Sequence, residues 1–194
     1  MIAIIDYKMG NLRSVENALH RLGAEFEVTA DADKIIRADR VLLPGVGNAA
    51  EAMHNLRSAG LPEVIKSLRR PVLGICVGMQ VMCRHSEEGD AECMGIFDAR
   101  VKRFKPTPTE KVPHVGWNQI GNLEKKLFTD VKSGSFVYFV HSYYAELCPD
   151  TIATTRHGLL FSSALKYENF YGTQFHPEKS GDTGEQIIKN FLEL

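Results

Sequence analysis

Short apolar runs alternate with helical patterns along the first half of the chain. Ile2–Ile5 is a continuous apolar run, typical of a strand covered on both faces. The strands predicted in this half are residues 2–5, 26–29, 41–43 and 72–75. Pro44 and Gly45 are expected to end the third of them. Apolar residues spaced by three or four positions predict helices at 12–22, 49–56 and 61–68.

The second half has a different pattern, with β-prone segments separated by loops and one closing helix. The segment 136–140 is rich in aromatic and β-branched residues, which favours a strand. The other extended segments predicted are 99–104, 112–120, 152–155, 161–165 and 170–175. An amphipathic helix is predicted over 183–194. The chain is therefore expected to form a single α/β domain over residues 1–194, with a mostly parallel central sheet flanked by helices and a mixed or antiparallel extension.

Composition and charge exclude several classes of function. The 194 residues are 44% hydrophobic, enough for a sizeable core. The net charge is -1, from 23 basic and 24 acidic residues, so neither nucleic acid nor a membrane surface is expected as a partner. Neither a secretory leader at the N-terminus nor a run of ~20 apolar residues is present, which predicts a cytoplasmic location.

The four cysteines lack the spacing of a zinc site. None of them forms a C-x-x-C pair, and a chain of this size in a reducing compartment needs no disulfides. Cys83, Cys93 and Cys148 are interpreted as small buried hydrophobic residues. No metal and no organic cofactor is expected.

Cys76 differs from the other three because it lies in the pattern Gly-x-Cys-x-Gly. The segment 74–78 follows an apolar strand and precedes a helix start, as a nucleophile elbow does. Such a turn pushes the side chain out at the carboxyl end of the sheet, next to a helix N-terminus that favours the thiolate. On these residues alone, a buried cysteine in a glycine-rich turn explains the pattern equally well.

A thiol nucleophile needs a base, and His176 is the candidate. It follows an apolar strand, and Glu178 lies two residues further on, where a carboxylate can orient the imidazole and stabilise its cationic form. Either residue alone is readily explained as an ordinary loop residue. Together with Cys76 in one small α/β chain, they indicate a catalytic triad.

A glycine-rich turn is the candidate for stabilising a developing oxyanion. Gly45, Val46 and Gly47 follow the third strand, where glycine lets the backbone approach a ligand. One amide donor is expected from Val77, directly after the nucleophile, and another from this turn. Without Cys76, an ordinary turn between strand and helix would be the better interpretation.

Segments 74–80 (GICVGMQ) and 174–178 (QFHPE) resemble the class I, or triad, glutamine amidotransferases. Segments 6–15, 44–47, 113–118 and 138–143 further resemble the glutaminase subunits of imidazole glycerol phosphate synthases, and the resemblance covers nearly the whole chain. Lys8 stands where these subunits more often have glycine.

The resemblance implies a reaction and a role for each site residue. Cys76 would attack the side-chain amide of L-glutamine to form a γ-glutamyl thioester, with His176 moving protons and Glu178 orienting it. The residues implied in binding the remainder of the substrate are Gln80, Glu88, Ser142 and Tyr143. The ammonia would pass to a cyclase subunit, a (β/α)8 barrel that forms a heterodimer with this chain in histidine biosynthesis. The residues implied to face that partner are Trp117, Asn118, Tyr138 and Lys179.

Three alternatives remain open from the sequence. The chain could serve a different acceptor, including a close paralogue in surface-sugar synthesis. It could be a non-catalytic scaffold, which an intact Cys76, His176 and Glu178 argues against. It could also be a stand-alone hydrolase such as a γ-glutamyl peptidase, which would be highly active without a partner.

Overall fold

The computed structural model describes residues 1–124 and 126–194, and these residues form thirteen strands and six α-helices. The strands are β1 Ile2–Ile5, β2 Phe26–Thr29, β3 Arg40–Gly45, β4 Val72–Cys76, β5 His85–Ser86, β6 Ala91–Glu92, β7 Arg100–Arg103, β8 His114–Gln119, β9 Phe136–His141, β10 Tyr143–Ala145, β11 Thr151–His157, β12 Leu159–Tyr167 and β13 Phe170–Thr173. The helices are α1 Leu12–Arg21, α2 Ala32–Arg37, α3 Ala49–Ser58, α4 Leu61–Ser67, α5 Val77–Gln80 and α6 Gly181–Leu192. Short 3-10 helices cover Lys126–Phe128 and Pro177–Lys179.

One large sheet forms the centre of the molecule. Its strand order is β2-β1-β3-β4-β13-β12-β10-β7-β5-β6, and β11 pairs with β12. The strands from β2 to β13 in this order are parallel, and antiparallel pairing begins between β13 and β12. The predicted α/β class, with a parallel centre and a mixed extension, is therefore confirmed. Strands β8 and β9 form a separate antiparallel ribbon, which the sequence pattern did not indicate.

Local signals in the sequence explain where the first helix begins and ends. The side chain of Asn11 accepts a hydrogen bond from the backbone of Ser14 at 3.4 Å and caps α1. Val15 and Leu19 bury one face of the helix. Gly23 follows the C-cap with a φ of 66°, the left-handed conformation in which glycine commonly ends a helix. None of the helices in the described ranges is long and apolar enough to cross a membrane.

Two predictions about the first half need correction. Strand β3 does not end before Pro44 but runs through Gly45, because its parallel pairing with β4 continues there. The Val41 amide donates to the Pro71 carbonyl, on the side of β4. Backbone nitrogens alternate in direction along a strand, so the nitrogen of Pro44, three residues on, faces β1. The pairing of β1 with β3 ends at Leu42, so no hydrogen bond is lost there. Helix α2 was missed because it buries only Ile35 and therefore has no apolar periodicity.

Glycines allow α5 to pack directly on the sheet. A Cβ atom on Gly78 would lie 1.8 Å from the Leu43 carbonyl oxygen, and one on Gly74 would lie 2.7 Å from the Gly78 carbonyl oxygen. Gly172 on β13 has the Met79 side chain 2.3 Å from the position of its missing Cβ. Strands β3 and β4 therefore meet the elbow helix at backbone contact distance, and β13 admits the Met79 side chain of that helix. Side chains at these glycine positions would prevent both contacts.

We predict that Gly78→Ala destabilises the fold far more than Gly121→Ala. The new methyl group would overlap the Leu43 carbonyl, which should lower the free energy of unfolding by about 3 kcal/mol or more. At Gly121 the nearest atom to an added Cβ is Ser133 Oγ at 3.6 Å, an ordinary contact. Thermal and urea unfolding of both variants measure the difference, and equal stability of the two would contradict the close packing.

Candidate active site

The strand order brings Cys76 and His176 to the same edge of the sheet. Strand β4 lies between β3 and β13 in parallel pairing, with Ile75 opposite Thr173 and Gly45 opposite Cys76. Because the carboxyl ends of parallel strands meet at one edge, the segments that follow β3, β4 and β13 converge there. The nucleophile candidate, its base candidate and the glycine-rich turn thus come from three neighbouring strands.

Cys76 has the backbone conformation of a nucleophile elbow. Its φ of 55° and ψ of -110° are unusual for a residue with a side chain. The surrounding glycine contacts hold this conformation against its local cost. Helix α5, which follows, has one turn, so its dipole is small and a nearby imidazolium is the stronger source of positive charge for the sulfur.

His176 and Glu178 form a buried pair. His176 Nδ1 lies 2.8 Å from Glu178 Oε1, and both side chains are 2% exposed. The carboxylate accepts from Nδ1–H, so Nε2 faces away from it toward the cavity. Nε2 is buried without a hydrogen-bond partner among the described residues, but the imidazole interacts electrostatically with Cys76.

The surroundings of His176 favour its charged form. Burial by itself lowers the pKa of the imidazole, but the contacts with Cys76 and Glu178 outweigh burial and raise it to about 10. A protonated His176 places a positive charge beside the Cys76 sulfur. Burial raises the pKa of Cys83 well above that of a free thiol and that of Cys93 to about 11, which keeps both protonated.

A cavity that opens to solvent lies over Cys76, with a volume of about 450 Å³ when its open mouth is included. Nine of the residues singled out in the sequence line it: Val46, Gly47, Cys76, Val77, Gln80, Glu88, Ser142, Tyr143 and His176. Glu178 lies behind His176 instead. Gly45 lies beneath the elbow, where a Cβ would be 2.6 Å from the Gly78 amide nitrogen, so its position serves backbone packing and does not form the cavity wall.

Gln80 and Glu88 form a polar wall of this cavity. Gln80 Nε2 donates to the Tyr143 carbonyl at 3.0 Å, so the amide oxygen is the group that can accept from a ligand ammonium. One Glu88 oxygen accepts from the Ala49 amide at 2.9 Å, at the start of α3. Burial raises the pKa of Glu88 above its usual range, and the hydrogen bond from Ala49 offsets part of that shift. Both residues are thus held in place by neighbouring backbone groups.

Gln174 belongs to the site, although the sequence assigned it no role. It is fully buried, and its Nε2 donates to Cys76 Sγ at 3.6 Å. Its Oε1 accepts from Gln80 Nε2 at 2.9 Å. The signal that could have identified it is its place directly after a strand that ends beside the elbow. A donor to the sulfur stabilises a thiolate.

Of the four residues expected to face a partner, Trp117, Tyr138 and Asn118 lie on the β8–β9 ribbon, and they divide between its two faces. Trp117 is 55% exposed, which excludes a core position, and its ring centroid lies 6.1 Å from that of Tyr138 across the ribbon. Lys179 is exposed on the 3-10 helix that follows His176. Asn118 instead turns inward and donates to His114 Nε2 at 3.2 Å and to the Arg156 carbonyl at 2.9 Å.

The sequence also singled out Lys8 and the three other cysteines. Lys8 has a φ of 63°, the left-handed conformation in which glycine would be unstrained. Cys83 and Cys93 are buried as predicted, whereas Cys148 is only partly buried against the core. Within residues 1–124 and 126–194, no group of three or more His, Cys, Asp or Glu side chains is placed to hold a metal ion.

Comparison with known proteins agrees with this geometry. The family profile described as glutamine amidotransferase class-I matches residues 3–194. Among solved structures, one described as a glutamine amidotransferase has a TM-score of 0.76 at 16% identity and covers 100% of this chain and 98% of its own. A glutamine amidotransferase from Thermotoga maritima has a TM-score of 0.67 at 20% identity, with coverage of 99% and 82%. These structures show the shared fold.

Two relatives are similar over their full length. The imidazole glycerol phosphate synthase subunit HisH of Bacteroides thetaiotaomicron is 55% identical, covering 100% of this chain and 99% of the relative. The subunit of the same name from Idiomarina loihiensis is 45% identical, with coverage of 100% and 97%. The chain therefore belongs to the class-I glutamine amidotransferase family and, within it, to the HisH subunits of imidazole glycerol phosphate synthase.

Proposed function

We propose that this chain hydrolyses L-glutamine to glutamate and ammonia and supplies the ammonia to the cyclase subunit of imidazole glycerol phosphate synthase in histidine biosynthesis. The observation that carries the proposal is the convergence of Cys76 and His176 on one cavity, with Glu178 paired to His176 behind it. The HisH name of its relatives, at 45% and 55% identity, supports the same assignment. Residues 1–194 would act as one amidotransferase domain.

The proposed chemistry follows from the position of each group. The Cys76 thiolate attacks the side-chain carbonyl carbon, forming a C–S bond, and protonated His176 donates its proton to the nitrogen as the C–N bond breaks. Ammonia leaves, and His176 then takes a proton from water, whose oxygen attacks the thioester. The C–S bond breaks, glutamate leaves with its carboxyl proton lost to solvent, and the Cys76 thiolate beside protonated His176 is restored. Glu178, bonded to Nδ1 at 2.8 Å, holds the imidazole in orientation through both steps.

The cavity also offers groups for the rest of the substrate. The oxyanion of each tetrahedral intermediate would be held by the Val77 amide and by an amide of the Val46–Gly47 turn, both on the cavity wall. The Gln80 amide oxygen and the Glu88 carboxylate suit the α-ammonium group of glutamine. Ser142 and Tyr143 also line the cavity.

An exposed apolar face next to the cavity suits the proposed partner. We define the docking face as the outer side of the β8–β9 ribbon: Val115, Trp117, Phe136, Tyr138 and Val140. Val115, Trp117 and Phe136 are more than half exposed, which is unusual for neighbouring apolar side chains on a monomer. Val140 also lines the cavity, so this face reaches the site where ammonia would form. We propose that a (β/α)8-barrel cyclase covers it in a heterodimer.

Strand β9, which carries part of the docking face, is hydrogen-bonded directly to the loop that contains His176. The His176 amide donates to the Tyr138 carbonyl at 3.0 Å, and the Tyr138 amide donates to Ser180 Oγ at 2.9 Å. Ser180 in turn donates to the His176 carbonyl at 2.6 Å. A partner that shifts β9 would therefore shift the backbone of His176, which is a physical route by which docking could change turnover.

Glutamine turnover by the purified chain tests the function directly. We expect ammonia release to be strongly stimulated by the cyclase with its nucleotide ligand, and Cys76→Ala to reduce it by at least about 10³-fold because the nucleophile is lost. Cys148→Ala, a change at a cysteine outside the cavity, should leave turnover unchanged. High activity without the cyclase would indicate a stand-alone hydrolase, and inactivity under every condition would favour a scaffold.

The raised pKa of His176 predicts a loss of stability at high pH. An unfolded histidine titrates near 6.5 and the folded His176 at about 10, so the folded state holds the extra proton between these values. The stability from this group is complete below about pH 6.5 and is lost as pH rises toward 10. We expect the urea midpoint of the native protein to fall relative to His176→Gln over this range, and a constant difference would contradict the charged pair.

Replacement of Trp117 on the docking face should weaken the complex. We expect Trp117→Glu to raise the Kd for the cyclase by about 30-fold or more, because it removes an aromatic anchor and buries a charge. Tyr167→Glu is the control, since Tyr167 is 47% exposed on β12, outside the docking face. Calorimetry measures both, and equal affinities would place the interface elsewhere.

A further inference from the structure

Two buried imidazoles connect the ribbon to the cavity. His114 on β8 and His141 at the end of β9 face each other in register, and His114 Nδ1 lies 2.9 Å from His141 Nε2. His141 Nδ1 lies 2.7 Å from the Tyr143 carbonyl oxygen, and Asn118 Nδ2 lies 3.2 Å from His114 Nε2. Neither histidine is used in the proposed reaction.

Asn118, His114, His141 and the Tyr143 carbonyl thus form a row of hydrogen bonds. The groups at its two ends, the Tyr143 carbonyl and the Asn118 amide, determine which atom donates in each bond. The Tyr143 carbonyl can only accept, so His141 carries its proton on Nδ1 and accepts at Nε2. His114 must then donate from Nδ1 and accept at Nε2 from the Asn118 amide. Both rings are therefore neutral. Burial lowers the pKa of His141 to about 3 and that of His114 to about 4, in agreement with this assignment.

The row continues from Tyr143 to the sulfur. The carbonyl that accepts from His141 also accepts from Gln80 Nε2 at 3.0 Å. Gln80 donates to Gln174 Oε1 at 2.9 Å, and Gln174 donates to Cys76 Sγ at 3.6 Å. Hydrogen bonds in a buried row polarise one another, and the loss of one leaves a buried polar group without a partner.

We propose that His114 and His141 are positioning residues that hold the Tyr143 carbonyl, and through it Gln80, at the distance that glutamine binding requires. The proposal rests on the proposed glutaminase function and adds two residues to it. In this proposal Asn118 is the first residue of the row, because its hydrogen bond to His114 links β8 to the cavity wall. Trp117, the neighbouring residue, belongs to the docking face.

His157 offers a matched control for His114. Its ring stacks on that of His114 with centroids 4.1 Å apart, in the same aromatic cluster. Its nitrogens lie 3.0 Å from Glu110 Oε2 and 2.9 Å from the Lys111 carbonyl, outside the row. His114→Phe and His157→Phe therefore both keep a stacked ring, but only the first removes a link between Asn118 and Tyr143.

The first experiment compares steady-state turnover of these two variants with the cyclase bound. We expect His114→Phe to raise the KM for glutamine by about tenfold with a smaller change in kcat, the effect of about one lost buried hydrogen bond. His157→Phe should change KM by less than about twofold. Equal KM values for the two variants, with the native protein active, would overturn the positioning role and leave the glutaminase function standing.

A second pair of variants separates positioning from general loss of structure. In His141→Asn the shorter amide can place a donor where Nδ1 was, next to the Tyr143 carbonyl, whereas in His141→Gln the longer amide reaches the Nε2 position. We expect His141→Asn to keep a KM closer to the native value than His141→Gln. The reverse order would overturn the proposal, including in the case that His114→Phe does not fold.

The tautomers provide a readout that does not depend on turnover. Long-range ¹H–¹⁵N NMR at neutral pH should show both His114 and His141 neutral and protonated on Nδ1. A native protein that is inactive with the cyclase would refute the proposed function. An Nε2-protonated His141 in that same protein would refute the row itself, so the two failures can be told apart.

Discussion

The parallel pairing of β4 with β13 is the interaction on which the rest of the site depends. It sets Thr173 opposite Ile75, and both Cys76 and His176 follow at fixed distances along their strands. A slip of two residues would keep the same side chains facing the core but move His176 by about 6.6 Å relative to Cys76. Buried apolar side chains on both strands hold this register, so the hydrophobic core also determines how the two proposed catalytic residues are placed.

Close backbone packing is the second constraint. The elbow holds Cys76 at a positive φ because Gly74 and Gly78 allow strand and helix to touch, and Gly172 admits the Met79 side chain from the neighbouring strand. The unfavourable local conformation persists because the contacts around it are dense. The positive charge beside the sulfur then comes from His176, since the helix that follows the elbow has one turn.

Buried polar contacts join the two sides of the cavity to a single ribbon. On one side, the Tyr138 backbone holds the loop of His176. On the other, His114 is hydrogen-bonded to His141, and His141 to the Tyr143 carbonyl. The same carbonyl also accepts from the Gln80 amide. The outer face of the same ribbon exposes Trp117. A partner seated there would contact an element that is hydrogen-bonded to both the proposed base and the proposed substrate wall, so the proposed docking and catalysis would share the same structural parts.

The sequence by itself determined what depends on near neighbours in the chain. Apolar periodicity predicted most strands and helices, the spacing around Cys76 predicted the elbow, and the short separation of His176 and Glu178 predicted their pairing. Helix α2 was missed because it has one buried residue. Only the tertiary structure decided that Gln174 meets the sulfur and that Asn118 turns inward while Trp117 is exposed. The physical reason is that such contacts depend on strand order and register, which join residues far apart in the sequence and leave no local periodicity.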